Sequence, residues 1–356
     1  MNKYLDSLNK ELREYFEILS PEFPEWMLDY IYTPQMLRLD KIGVSCGTNY
    51  TKVYDDMVYN YSSLEHSVAV ALIIWNFTKD KKQTISALFH DIATPVFKHS
   101  IDYMNGDAEK QESTEEKTEE IIRNSKEITD LLKRDNIKIE EIYDYHIYPI
   151  ADNKSPRLCA DRLEYTLSDG LYQKPVYADI NSVKKYYQNI IVTNNEDNVP
   201  ELIFKDLEVC EEFIHDIKNL WPRWSEDEDR VCMQFIADIV KSMHKKGYIS
   251  VEDLYTHTEK EVVELILNCE DENIKNAFKN FQNATRSSVY KNDIYNDKIY
   301  CTSVNCKKRY LNPLVIKDGQ IHRLTELSKQ AQKDIEEFLN MKVSKYIGFN
   351  FEFKTY

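Results

Sequence analysis

The chain has 356 residues, enough for one large domain or two ordinary ones, and its 42% hydrophobic and 30% charged residues suit a protein with a substantial core. A formal net charge of -15 argues against stable binding to a nucleic-acid backbone. Seven glycines, with no G-x-G-x-x-G and no G-x-x-x-x-G-K-[ST] run, leave Rossmann and P-loop nucleotide sites unsupported.

In chain order, the opening stretch MNKYLDSLNKELREYF is charged and amphipathic and has none of the apolar stretch of a signal peptide. The most apolar run, 68–75, is too short to cross a bilayer, so a cytoplasmic protein is expected. The seven cysteines are odd in number, scattered and free of C-x-x-C, which reads as buried reduced thiols. Ser62 or Ser63 is placed to cap a helix, LEHSVAVALIIWNF, that is apolar nearly all round and therefore buried. His66 rides into the interior on that helix and needs a partner or a metal. A second apolar helix over 84–89 leads into His90-Asp91, Pro95 interrupts, and 96–104 restarts as a short helix.

Residues 106–120 are strongly acidic and read as a solvated face. An amphipathic helix over 121–132 and another over 137–146 follow, then a turn-rich loop at 149–156 and a helix over 157–173. Further helices are expected across 179–283, including 201–220 and 226–246, the latter closed by Gly247. Beyond 285, IYCTSVN, KRYLNPLVI and YIGFNFEF carry strand-forming residues, and a helix over 325–340 capped by Thr325 lies among them. Lys307-Lys308-Arg309 reads as an edge-strand charge cluster, with an oligomer interface or a regulatory phosphate site as the sharper alternative. The expected fold is mainly α with a small α+β C-terminal part, divided as 1–180, a helical extension over 181–285, and 286–356.

The residues that carry chemistry follow the order H…HD…D: His66, His90-Asp91 and Asp161. Two imidazoles and two carboxylates can fill most of the coordination sphere of one divalent ion. An ion held this way activates water and neutralises phosphate charge, which suits phosphate-ester hydrolysis. Asp161, Tyr165 and Asp169 are spaced i, i+4, i+8 and share one helical face. That face offers a ligand, an aromatic surface for sugar or base, and a second carboxylate. Lys154, Arg157 and Arg162 lie close by in sequence and are expected to counter phosphate charge. His146 reads as a packed histidine or a substrate contact, with a second-metal ligand as the less favoured alternative.

The runs LEHSVAVAL (64–72), ALFHDIATPVFKHSID (87–102) and ADRLEYTLSD (160–169), preceded by MLRLDKIG at 36–43, resemble the HD-domain phosphohydrolase superfamily. The resemblance spans 36–175 and is nearest to the deoxynucleoside triphosphate triphosphohydrolase branch. It implies an HD-domain helical bundle and one divalent ion (Mn, Fe, Ni, Zn or Mg) on His66, His90, Asp91 and Asp161. It also implies His99 and Asp102 as the catalytic polar pair beside the metal, Tyr165 and Asp169 at a nucleotide, and Glu112 at an acidic position of the site. Members of that branch usually carry histidine at Thr94, often another at Gln111, and arginine at Ser63, so this chain departs from the pattern there. Three activities stay open: dNTP triphosphohydrolysis, hydrolysis of a monophosphate or cyclic phosphodiester, and nucleotide sensing without catalysis. A homo-oligomer is compatible with the resemblance.

Overall fold

The computed structural model describes residues 3–114 and 116–356; the first two residues of the N-terminal stretch and Glu115 of the acidic run lie outside it. At its centre is helix Ser63–Thr78. Ser62 caps it with a reciprocal pair: its Oγ accepts from Glu65 N (3.1 Å), and Glu65 Oε2 accepts from Ser62 N (2.7 Å). Every residue from 63 to 74 is buried, as an all-round apolar helix requires. Each of its aliphatic side chains contributes about 1.5–3 kcal/mol of burial. Helices Lys10–Leu19, Lys81–Phe89 and Ala160–Ser168 pack around it. Asp80 caps the second of these through Lys82 N and Gln83 N, and that helix ends at His90.

Helix Ala160–Ser168 does not simply continue to 173 as expected. It widens into a π turn over Asp169–Gln173, a device common at functional sites. Gly170 is required there, because a Cβ would come within 2.3 Å of the Tyr177 ring. The expected helix over 137–146 is instead two short 3-10 turns, Ile139–Glu141 and Tyr145–Ile147.

The second half differs most from expectation. Strands β1 (Ile190–Asn194) and β2 (Pro200–Phe204) form an antiparallel hairpin where helices were expected, and the helix after it is Leu207–Ile217. β3 (Val289–Asn292) and β4 (Tyr300–Thr302) precede β5 (Leu314–Lys317), which pairs parallel with β2, Ile203 opposite Leu314. β5 turns through Asp318-Gly319, both at positive φ, into β6 (Gln320–Arg323). β7 (Tyr346–Phe349) closes the chain's second sheet, giving orders β1-β2-β5-β6 and β3-β7-β4. The four-stranded sheet thus draws two strands from 181–285 and two from 286–356. The stretch KRYLNP, expected as strand, is extended coil, because 303–313 runs from one sheet to the other. The helix expected over 325–340 is split into Leu324–Leu327 and Lys329–Leu339, and Ser328 rather than Thr325 caps the longer piece.

Helix Asp227–Lys245 organises a second core. Phe235 at its middle packs against Phe281, Tyr300 and Phe349. Gly247 follows this helix at positive φ, as expected. The architecture is mainly α with a small sheet-containing part. No described helix is long and apolar enough to cross a membrane. All seven cysteines are free, five of them buried.

Candidate metal centre and its cavity

Three stretches distant in sequence converge on one point. His66 comes from the first turn of the central helix, His90 from the end of the next, and Asp161 from the first turn of helix Ala160–Ser168. His66 Nε2 lies 3.2 Å from His90 Nε2 and 3.2 Å from Asp161 Oδ1, and His90 Nε2 lies 3.7 Å from the same oxygen. Asp91 stands slightly back, 3.9 Å from each Nε2, with its Oδ2 paired to Lys98 Nζ at 2.5 Å. His66, His90 and Asp161 therefore form the tight triad, and Asp91 borders it.

The partners of the outer ring nitrogens determine what this triad suits. His90 Nδ1 donates to the Ala87 carbonyl at 2.7 Å, and His66 Nδ1 donates to Glu164 Oε2. Glu164 is fully buried and also accepts from Tyr61 Oη (2.8 Å) and Tyr15 Oη (3.1 Å), so its position is braced. With both Nδ1 protons committed outward, two Nε2 lone pairs and a carboxylate face each other at close range. They repel unless positive charge lies among them. Imidazoles oriented by a carboxylate and a carbonyl, with an aspartate completing the triad, fit a divalent cation. Electrostatics points the same way. Burial pulls His66 down, but Glu164 and Asp161 outweigh it and push the imidazole up to about 10. Burial opposes ionisation of Asp91, yet Lys98 and the two imidazoles hold it well below the carboxylate range. Asp161 is likewise held low against burial, chiefly by His66.

The triad opens into a cavity of about 630 Å³. His99 lines it, with Nδ1 donating to Asp102 Oδ2 at 2.9 Å. Asp102 is fully buried behind His99 and is fixed by Ser113 Oγ (2.6 Å) and Thr114 N (3.1 Å). Burial lowers the His99 imidazole below its ordinary value, so it is neutral at pH 7 with Nε2 free to accept a proton. Lys154, Arg162, Tyr165, Asp169 and Glu112 also line the cavity. Arg162 is engaged with Asp152 (3.0 Å) and the Asn153 and Arg157 carbonyls, so it braces the loop beneath the site. Arg157 is not a lining residue: it turns to Glu196 and Asp197 on the β1–β2 loop, which draw its charge away. His146 sits at the wall beside Asp152 (3.5 Å) and Asp144 (3.0 Å).

Several residues of the cavity had no sequence signal. Lys98 lies in a turn at positive φ ahead of helix Ser100–Met104, where a helix from 96 was expected, and Glu164 finds His66 only across 98 residues. The coil carrying Lys307-Lys308-Arg309 is neither an edge strand nor a surface cluster. It forms cavity wall, with Arg309 5.8 Å above the Tyr165 ring and donating to Gln111 Oε1. Asn305 and Lys307 tie the same coil to Glu109 Oε1 and the Lys110 carbonyl. Trp224 meets Tyr165 edge-on at 5.3 Å and donates Nε1–H to Asp169 Oδ2 at 2.8 Å.

Comparison with known proteins agrees with this geometry. Residues 63–175 match the family model of the HD domain. The chain is 24% identical over 280 residues to the uncharacterized protein YdhJ of Bacillus subtilis, covering 77% of this chain and 80% of that one. It is 26% identical over 108 residues to the metal-dependent phosphohydrolase cns2 of Cordyceps militaris, covering 30% of this chain and 31% of the relative. Crystal structures of a hypothetical protein from Aquifex aeolicus and of a phosphohydrolase from Bacteroides thetaiotaomicron share the fold. Each has a TM-score of 0.63 at 15% identity over 92% of this chain, and 93% and 96% of those chains are covered. The segment that carries His66, His90, Asp91 and Asp161 is thus the one that matches the HD-domain model.

Proposed function

We propose that this protein is a metal-dependent phosphohydrolase acting on a nucleotide, with dNTP triphosphohydrolysis as the activity to test first. The observation that carries the reading is the pair of outward-anchored imidazoles whose Nε2 atoms meet 3.2 Å apart beside Asp161. The name of the Cordyceps militaris relative supports it, and so do Lys154 and Arg309 in the cavity lining. His66, His90 and Asp161, with Asp91 beside them, would hold one divalent ion. Bound there, the ion polarises a phosphoryl oxygen and lowers the pKa of water. His99, steered by Asp102, takes up a proton at Nε2 and returns it to the leaving oxygen. Lys154 and Arg309 face the phosphate charge, with Arg309 taking the place expected of Arg157. Tyr165 and Asp169 meet the sugar.

Asp161→Ala tests this directly. Metal content by mass spectrometry and product release from a nucleotide panel should both be lost, with inorganic triphosphate among the wild-type products. Wild-type protein that binds metal but releases no product would leave a nucleotide sensor instead. Full metal content and full turnover in the variant would refute the site.

A further inference from the structure

Part of the cavity wall is built by residues that the metal centre does not use, and two of its polar groups are unsatisfied. Gln173, on the π turn, is only 8% exposed. Ser45 Oγ donates to its Oε1 at 3.0 Å, while its buried Nε2 has no partner among the described residues. Asp229 lines the same cavity and makes no hydrogen bond or ion pair among the described residues, although its neighbours on helix Asp227–Lys245 do. Asp227 pairs with Arg230, and Glu228 pairs with Lys291. The segment just before this helix joins the two groups. Arg223 Nη2 donates to the Gln173 carbonyl at 3.3 Å, and its guanidinium stacks on the Tyr54 ring at 3.9 Å. Trp224 holds Asp169, as described. Arg223 is itself paired to Asp56 and, like Arg309 and Arg230, favours ionisation of Asp229 without an ion pair to it. The carboxyl of Asp229 is pushed up to about 7, first by burial and then by Glu226.

The buried amide donor is costly unless a ligand completes it, and Asp229, half-buried on the same cavity, offers that ligand a carboxyl without a protein partner among the described residues. The flat surfaces of the stacked Arg223–Tyr54 pair and of Trp224 frame a planar group. Above pH 7, where Asp229 is mostly ionised, its carboxylate accepts from N–H and repels a carbonyl oxygen placed at the same point. Resting on the nucleotide reading above, we propose that Gln173, Arg223, Trp224 and Asp229 form a base-recognition pocket. In it, Asp229 accepts from an exocyclic amino group and Gln173 Nε2 donates to an acceptor on the ring or sugar. The pocket would favour amino-bearing bases and discriminate against their oxo counterparts.

The test is titration calorimetry at about pH 8.5 on the metal-loaded protein, with His99→Gln as the common background so that turnover does not interfere, and two matched pairs, dCTP against dUTP and dATP against dITP. In each pair an amino group on the base is replaced by an oxo group, and the adjacent ring nitrogen changes from acceptor to donor. With Asp229 intact, the amino-bearing member of at least one pair should bind about tenfold more tightly or better, the discrimination one good base contact gives. Asp229→Asn, which presents an amide N–H₂ of similar size, should narrow that gap to about threefold or invert it towards the oxo base. Asp229→Ser, which removes the carboxylate without adding volume, serves as the second variant, and thermal melts verify folding of both. Equal affinities within both pairs with Asp229 intact would overturn the proposal, as would a gap that survives in the folded variants. Binding is read here without turnover. Selective binding without hydrolysis by the protein that keeps His99 would therefore refute the hydrolase reading alone, and hydrolysis without selectivity would refute this pocket alone.

Discussion

The two walls of the cavity are built on opposite plans. On the wall around the triad almost every polar group is spoken for: His66 by Glu164, His90 by Ala87, Asp91 by Lys98, His99 by Asp102. Such a wall is pre-organised for a small cation whose coordination tolerates little adjustment. The wall made by Gln173 and the segment from Arg223 to Asp229 leaves an amide and a carboxyl without a protein partner among the described residues. The difference teaches that one wall is finished by the protein's own hydrogen bonds and the other is not.

That contrast can be broken or sharpened by substitution. After the metal ligands themselves, the largest effect is expected at His99. His99→Gln keeps a polar group but removes the titrating nitrogen, and turnover should fall roughly 10²- to 10⁴-fold with metal content intact. The pH profile gives a second readout. Burial lowers His99, so the neutral base persists below the ordinary histidine value and the acid limb of kcat should lie below about 6.5. Asp102 raises His99 against that burial, so Asp102→Asn should move the limb further to acid and lower kcat. A limb that does not move in this variant would remove Asp102 from the mechanism. Next comes Glu164→Gln, which keeps the shape but weakens the hold on His66. Metal affinity should drop roughly 10- to 100-fold, read by competition with a chelating dye. The smallest effect is expected on the facing wall. Arg309→Ala should raise KM for a nucleotide by about tenfold, the loss of one hydrogen bond to a charged group, while metal binding stays constant. An Arg309 variant that also lost the metal would show that the two walls are not separable.

How far the site was legible follows the same division. His66 stood out because a polar side chain in an all-round apolar helix needs a reason, and Asp161, Tyr165 and Asp169 because helical spacing aligned them. Glu164 shares that helix, but its role depends on His66, and no local pattern shows a contact across 98 residues. Arg157 was legible only as a charge close in sequence, and Glu196 and Asp197 on a hairpin decided its direction. That hairpin had a signal, IIVT followed by the turn-rich NNEDN, which the helical character of the surrounding stretch obscured. Asp229 carries no local pattern at all, and Arg309 shows only as the end of the charge run Lys307-Lys308-Arg309. Their place is set by a parallel β2–β5 pairing between residues more than a hundred positions apart and by a coil that crosses between sheets.

That coil ties the timing of assembly to the order of synthesis. Asn305, Lys307 and Arg309 grip 109–111 nearly two hundred residues upstream. A chain still emerging from the ribosome can bring its imidazoles together long before this coil exists. It would then hold a metal centre open to solvent on one side, and only arrival of the last sixth of the polypeptide would wall it off.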